Sequence, residues 1–82
     1  MYELEIRVKR EPGALVRALA LIERRGFEIR DLDLRENATV RELRVRIQAQ
    51  VPDRPLPPLV NQLKKQIDVL EVTRLATNGE PS

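Results

Sequence analysis

Cysteine, histidine and tryptophan are absent from this chain of 82 residues, and its one serine is Ser82. A small fold without cysteine or histidine has no disulfide and no Cys/His metal site to stabilise it. Nor can an activated nucleophile with a neighbouring base be assembled from the residues that remain. The composition therefore predicts a non-catalytic protein, and its small size favours self-association or a partner.

Aromatic residues and glycines are scarce as well. Tyr2 and Phe27 are the only aromatic residues, and both fall in the apolar phase of their segments, whereas RNA-recognition modules expose aromatic rings on an open sheet face. The three glycines stand at positions 13, 26 and 79 and match no phosphate-binding loop. The sequence therefore indicates no nucleic-acid binding.

Charge of one sign and long apolar runs are also missing. Fifteen basic and thirteen acidic residues are interspersed and leave a net charge of +2, so no basic stripe is present. No apolar run approaches the ~20 residues that span a bilayer, and the start lacks the features of a signal peptide.

Asp31, Asp33 and Glu36 are more typical of an exposed strand face than of a metal site. We expect a soluble cytoplasmic protein that binds no metal and no membrane.

The start of the chain has the pattern of a strand followed by a helix. Apolar and charged residues alternate over Tyr2–Lys9, as in a strand with one buried face. Pro12 and Gly13 predict a tight turn, and Gly26 supplies a left-handed stop to the helix that follows. Helical spacing places Arg17, Glu23 and Arg24 on the solvent side and buries Leu15, Ala18, Leu19 and Ile22.

Two further strands follow. In the strand predicted over Phe27–Glu36, the residues expected to be buried are Phe27, Ile29, Leu32 and Leu34. The buried phase slips by one between Ile29 and Leu32, which predicts a β-bulge near Arg30 and Asp31. Turn-forming residues at 36–39 separate it from a third strand. In that strand the buried face is predicted to carry Leu43, Val45, Ile47, Ala49 and Val51.

The last third predicts a loop, a helix and a strand. Four prolines within Pro52–Pro58 exclude a helix interior or a sheet ladder there. Leu59, Leu63 and Ile67, with Val60 beside them, predict a helix of about three turns. A final strand is expected over Val69–Leu75. We assign residues 1–76 to one domain and predict a disordered tail over 77–82.

The element order βαββαβ predicts an α+β, ferredoxin-like fold, with both helices on one face of a four-stranded antiparallel sheet. The strand order 4-1-3-2 would leave Phe27–Glu36 at an edge. Charged residues that can pair across strands would occupy the open face, which we interpret as solvated rather than as a partner surface. They are Glu3, Glu5, Arg7, Lys9, Glu42, Arg44 and Arg46, with Gln48 among them.

Three segments resemble the ACT domain, and more narrowly the short, single-domain type of small regulatory subunit of acetohydroxyacid synthase (acetolactate synthase). They are Glu11–Arg17 at the first turn, Arg25–Ile29 opening the second strand, and Gln62–Val72 across the second helix and last strand. With the spacing between them they cover nearly the whole of Tyr2–Leu75. The first segment is common to many ACT domains, whereas the third is characteristic of the synthase subunits.

The resemblance implies a non-catalytic regulatory subunit of branched-chain amino-acid biosynthesis. It implies a homodimer joined sheet edge to sheet edge, a branched-chain amino acid at the dimer interface, and activation of a large catalytic subunit. Thiamine diphosphate, Mg²⁺ and FAD would belong to that subunit and none of them to this chain. The short type implies weak or absent feedback inhibition by valine. A free-standing ACT-domain amino-acid sensor is the alternative, and a fusion fragment or structural dimer the third choice.

The resemblance also implies an effector site at the dimer interface, with Arg10, Gly13, Ala14, Glu28 and Ile29 as its candidate residues. Arg10 and Glu28 stand where valine-sensitive relatives carry asparagine. Two arrangements stay open: Arg10 and Glu28 bridge each other across the dimer and fill the site, or they clamp the carboxylate and the ammonium of an amino acid. We favour the first, and with it insensitivity to valine.

We expect the dimer to form through the second strand and the first helix, because an exposed strand edge must be paired or protected. Arg30, Asp31 and Asp33 would limit non-specific pairing at that edge.

Overall fold

The computed structural model describes residues 1–75. Its elements follow the predicted order. They are β1 (Tyr2–Lys9), α1 (Ala14–Arg24), β2 (Phe27–Glu36), β3 (Val40–Ala49), α2 (Pro57–Lys64) and β4 (Val69–Leu75). The domain boundary at residue 76 and the tail over 77–82 lie outside the described residues and stay predictions.

One four-stranded sheet has the order β2-β3-β1-β4, with every neighbouring pair antiparallel. This confirms the ferredoxin-like fold and places β2 at one edge and β4 at the other. A single core forms where both helices pack against one face of the sheet. Its residues are Leu4, Ile6, Val8, Ala18, Leu21, Ile22, Phe27, Leu43, Val45, Ile47, Leu56, Leu59, Leu63 and Val72.

The predicted bulge and both glycine turns are confirmed. The β2–β3 register shifts between Ile29 and Asp31, and Oδ1 of Asp31 accepts a hydrogen bond from the backbone N–H of Leu32 at 2.9 Å. Gly13 and Gly26 have φ of +79° and +89°, a region that residues with a Cβ rarely enter. These features set the direction in which the chain enters α1 and β2.

The predicted burial of Leu32 and Leu34 is wrong. Each pairs with a core residue of β3, Val45 and Leu43 respectively, and so lies on the helix-bearing face of the sheet. Each is nevertheless 43% exposed. The reason is their place in an edge strand, where α1 does not cover them. Val16, in α1, is also 68% exposed. An uncovered apolar surface therefore adjoins the β2 edge.

The second helix is shorter than predicted. Leu59 and Leu63 are buried as expected, but α2 ends at Lys64 and Ile67 is 85% exposed. Backbone hydrogen bonds from Gln66 to Leu63 and from Val69 to Gln66 turn the chain before another helical turn can form. The carbonyl of Asp68 then accepts from the N–H of Lys9 at 2.9 Å, so pairing with β1 ends the helix early.

The open sheet face carries the predicted cross-strand charges. Nη2 of Arg44 donates to Glu5 at 3.1 Å, and Arg7 lies 3.6 Å from Glu71. The hydrogen bond to Glu5 raises the pKa of Arg44. These pairs are solvated and contribute little stability individually.

No helix within residues 1–75 combines the length and the apolar character needed to cross a membrane. In the same range, no group of three or more acidic residues is arranged to hold a metal ion.

Candidate functional site

The site that the sequence predicts is centred on the turn between β1 and α1. Gly13 is the residue that precedes α1, and its carbonyl accepts a hydrogen bond from the N–H of Arg17 at 2.9 Å. Ala14 opens the helix and is fully buried. The backbone of the turn is closed by a hydrogen bond from Ala14 to Glu11 at 3.1 Å. Because Gly13 has no side chain, this turn has space beside its Cα that another residue can occupy.

Arg17 fills that space. A Cβ built on Gly13 would lie 2.8 Å from Nη1 of Arg17, and the same nitrogen is 3.4 Å from the carbonyl of Pro12. Asp68 accepts a hydrogen bond from Nη2 of Arg17. Gln66 adds a further link by donating to the carbonyl of Arg17 at 3.3 Å. The turn before α1 is thus tied to the segment before β4.

Arg10 is engaged on the other side of the turn. Its Nη1 donates to the carbonyl of Asn37 at 2.9 Å, and its Nε lies 3.8 Å from Glu36. Oδ1 of Asn37 in turn accepts from the N–H groups of Thr39 and Val40, both at 2.9 Å. Arg10 therefore joins the first turn to the β2–β3 hairpin.

Glu28 and Ile29 lie at the opposite end of the sheet. Glu28 pairs with Gln48 near the end of β3, whereas Lys9, next to the Gly13 turn, pairs with Val40 at its start. The carboxylate of Glu28 accepts from Arg30 at 2.8 Å. Within one chain, Arg10, Gly13 and Ala14 therefore lie at the same turn. Glu28 and Ile29 could reach that turn only from a second subunit. The assignment of these five residues to an effector site stays a prediction.

Sequence reasoning missed the contact of Arg17 and Asp68, since it assigned Arg17 to solvent. The available signal was the spacing of Gly13 and Arg17. A glycine one helical turn before an arginine leaves room for the long side chain to fold back over it. No comparable signal identified Asp68, because the early end of α2 places it there.

Chemically, the turn offers guanidinium groups and backbone amides. These groups bind carboxylates or position a loop, but they neither attack a substrate nor exchange protons near neutral pH. The geometry fits a binding or signalling role.

An ACT domain family matches residues 10–72, which is most of the chain and includes the turn, the hairpin and the segment before β4. The chain belongs to the ACT-domain family. Among solved structures, the ACT domain from the GTP pyrophosphokinase of Chlorobium tepidum superposes with a TM-score of 0.75. The match covers 90% of this chain and 95% of the Chlorobium tepidum domain, at 22% sequence identity. At that identity the likeness shows the fold alone.

Curated relatives of this ACT domain share a narrower name. A probable acetolactate synthase small subunit of Methanothermobacter thermautotrophicus is 40% identical over 68 residues, which cover 83% of this chain and 40% of that protein. The acetolactate synthase small subunit of Mycobacterium avium is 32% identical over 81 residues, covering 99% of this chain and 48% of its own. The chain thus spans less than half the length of either relative.

Proposed function

We propose that this ACT domain acts as a non-catalytic regulatory subunit of acetohydroxyacid synthase and activates a large catalytic subunit that uses thiamine diphosphate. The observation that carries the proposal is the 40% identity over 68 residues to a protein named as the small subunit of that enzyme. The absence of cysteine and histidine supports a role without catalysis by this chain.

A homodimer is part of this proposal. The β2 edge is unpaired within residues 1–75, and the half-exposed Leu32 and Leu34 lie on that strand. Val16 of α1 is exposed as well. Antiparallel pairing of β2 with β2 of a second copy would cover these side chains. The same pairing would bring the start of one β2, with Glu28, toward the Gly13 turn of the other subunit.

We further propose that branched-chain amino acids bind weakly or not at all. Arg17 occupies the space beside Gly13, and Arg10 already has Asn37 and Glu36 as partners. An amino acid entering the site would have to break these contacts, which reduces its net gain. An ion pair between Arg10 and Glu28 of different subunits would also replace existing contacts. Arg10 would leave Asn37 and Glu36, and Glu28 would leave Arg30.

Valine, leucine and isoleucine at ~1 mM are therefore expected to leave the melting temperature unchanged. A ligand at ~100 times its dissociation constant would stabilise the fold by about 2.7 kcal/mol, a shift that thermal unfolding detects easily in a small domain. The companion variant is Arg17→Ala, which vacates the space over Gly13. A valine-dependent shift in the unmodified chain that Gly13→Asp abolishes would contradict the prediction and favour the zwitterion clamp.

A free-standing amino-acid sensor is the alternative. It is favoured by the chemistry of the turn between β1 and α1, whose guanidinium groups and backbone amides can bind a carboxylate. Co-elution separates the two functions. The purified chain, mixed with the catalytic subunit from the same organism, is expected to elute with it in gel filtration at ~10 μM, a concentration that suits a micromolar complex. Separate elution at every ratio, together with valine binding, would favour the sensor.

A further inference from the structure

A cleft opens at the end of the sheet opposite the Gly13 turn, between the end of α1 and the loop before α2. Its volume is about 210 Å³. Phe27, at its base, pairs with Ala49 at the end of β3, far from Val40 and the Gly13 turn. It is lined by Arg25, Phe27, Arg54, Pro55, Pro58 and Leu59. The cleft is thus separate from the predicted effector site.

The floor of the cleft is apolar. Phe27 and Leu59 are part of the buried core and present carbon atoms. Pro55 and Pro58 add ring carbons and no N–H donor. Because α2 begins with two prolines, and the N–H groups of Leu59 and Val60 donate to the carbonyl of Leu56, its first turn has no free amide of the kind that binds anions at a helix start. Any polar recognition in the cleft must come from the side chains at its mouth.

Two guanidinium groups lie at that mouth without an anionic partner. Within residues 1–75, neither Arg25 nor Arg54 makes a side-chain hydrogen bond or ion pair. Glu28, on the neighbouring strand, is held by Arg30 at 2.8 Å. Guanidinium groups keep their charge at all physiological pH values and match the geometry of a carboxylate. The mouth of the cleft is therefore positive and its hydrogen-bond donors are unused.

Gly26 positions one of these groups. A Cβ on Gly26 would lie 2.6 Å from Nε of Arg54, so the arginine packs directly against the glycine backbone. The carbonyl of Gly26 accepts from the N–H of Gln50 at 2.9 Å, which fixes the turn against the end of β3. The fold thereby places Arg54 over the cleft.

We propose that this cleft binds a small carboxylic acid with an aliphatic chain. The chain would lie on Phe27, Leu59 and the proline rings, and the carboxylate would receive hydrogen bonds from Arg54 and Arg25. Pockets that take drug-sized ligands have volumes of ~300–1,000 Å³, so this smaller cleft takes a short chain. An α-ammonium group would face two guanidinium groups and no carboxylate among the lining residues, which weakens the binding of amino acids. The proposal does not rest on a synthase partner.

Titration with isocaproate, leucine and isoamylamine, followed by amide resonances in NMR, tests this ligand class. Leucine has the carbon skeleton of isocaproate with an added ammonium group, and isoamylamine has the ammonium group alone. Isocaproate is expected to shift resonances around Phe27 and Leu59 with a dissociation constant of order 1 mM. Leucine should bind the cleft at least ~10 times more weakly, because its ammonium group is repelled.

Three variants test whether the guanidinium group of Arg54 binds the carboxylate of isocaproate. Arg54→Ala should weaken isocaproate binding roughly tenfold or more, and Arg54→Lys should have an intermediate effect. Arg24→Ala is the matched control, because this neighbouring exposed arginine does not line the cleft. The proposal is overturned by absence of isocaproate shifts, by equal binding of isoamylamine, or by equal affinities of Arg54→Ala and Arg24→Ala. Shifts centred on Gly13 would overturn it as well.

Discussion

Replacing Leu34 with lysine is expected to convert a dimer of this chain into a folded monomer. Leu34 is half exposed in the single chain and lies on the uncovered apolar surface beside the β2 edge. Lysine therefore costs the isolated domain little. In a dimer joined through β2 and α1 the ammonium group would be buried without a partner, which costs several kcal/mol. Since about 1.4 kcal/mol is a factor of ten, the dimer should weaken ~100-fold or more.

Sedimentation equilibrium at ~10–50 μM measures this directly, in the range where micromolar dimers are populated. The unmodified chain should have twice the 9.5 kDa mass of one chain, and Leu34→Lys should have the single mass. Ile67→Lys is the matched control. Ile67 is a more exposed aliphatic residue beside the opposite sheet edge, so its lysine variant should stay dimeric. A monomeric unmodified chain, or dissociation by both variants alike, would contradict the proposed interface.

The fold could be predicted almost completely from the sequence because its local signals agree. Alternation in β1 and β3, the two turn glycines and the proline loop before α2 all indicate the same βαββαβ order. The bulge in β2 was predictable as well, since a one-residue slip reverses which side chains face the core. Short-range pattern therefore fixed the elements and most of the core.

The errors arose where tertiary contacts override local pattern. Ile67 has the spacing of a third helical turn, yet pairing of Asp68 with β1 stops the helix before it. Leu32 and Leu34 have the correct strand phase, but burial also requires an element above them, and α1 does not extend that far. Periodicity reports which face a residue occupies and says nothing of what covers that face.

The candidate site was predictable only in part. Gly13 follows from the turn pattern and Ala14 from the resemblance. The spacing of Gly13 and Arg17 indicates room for the arginine side chain, but its partner Asp68 is 51 residues away in the chain. A contact at that separation leaves no trace in local spacing. The contribution of Glu28 and Ile29 depends on a second subunit and stays a prediction from the resemblance.

Turnover of the catalytic subunit is the most direct test of the proposed regulatory role. Increasing amounts of this chain are added to the purified catalytic subunit from the same organism, with pyruvate saturating and the rate of condensation measured. We expect a saturable rise of ~5–150-fold, the range of a coupling free energy of about 1–3 kcal/mol. The matched control is the ACT domain of the Chlorobium tepidum GTP pyrophosphokinase, which has the same fold at 22% identity and should have no effect. An unchanged rate at saturating chain, or an equal rise with the control domain, would contradict the account.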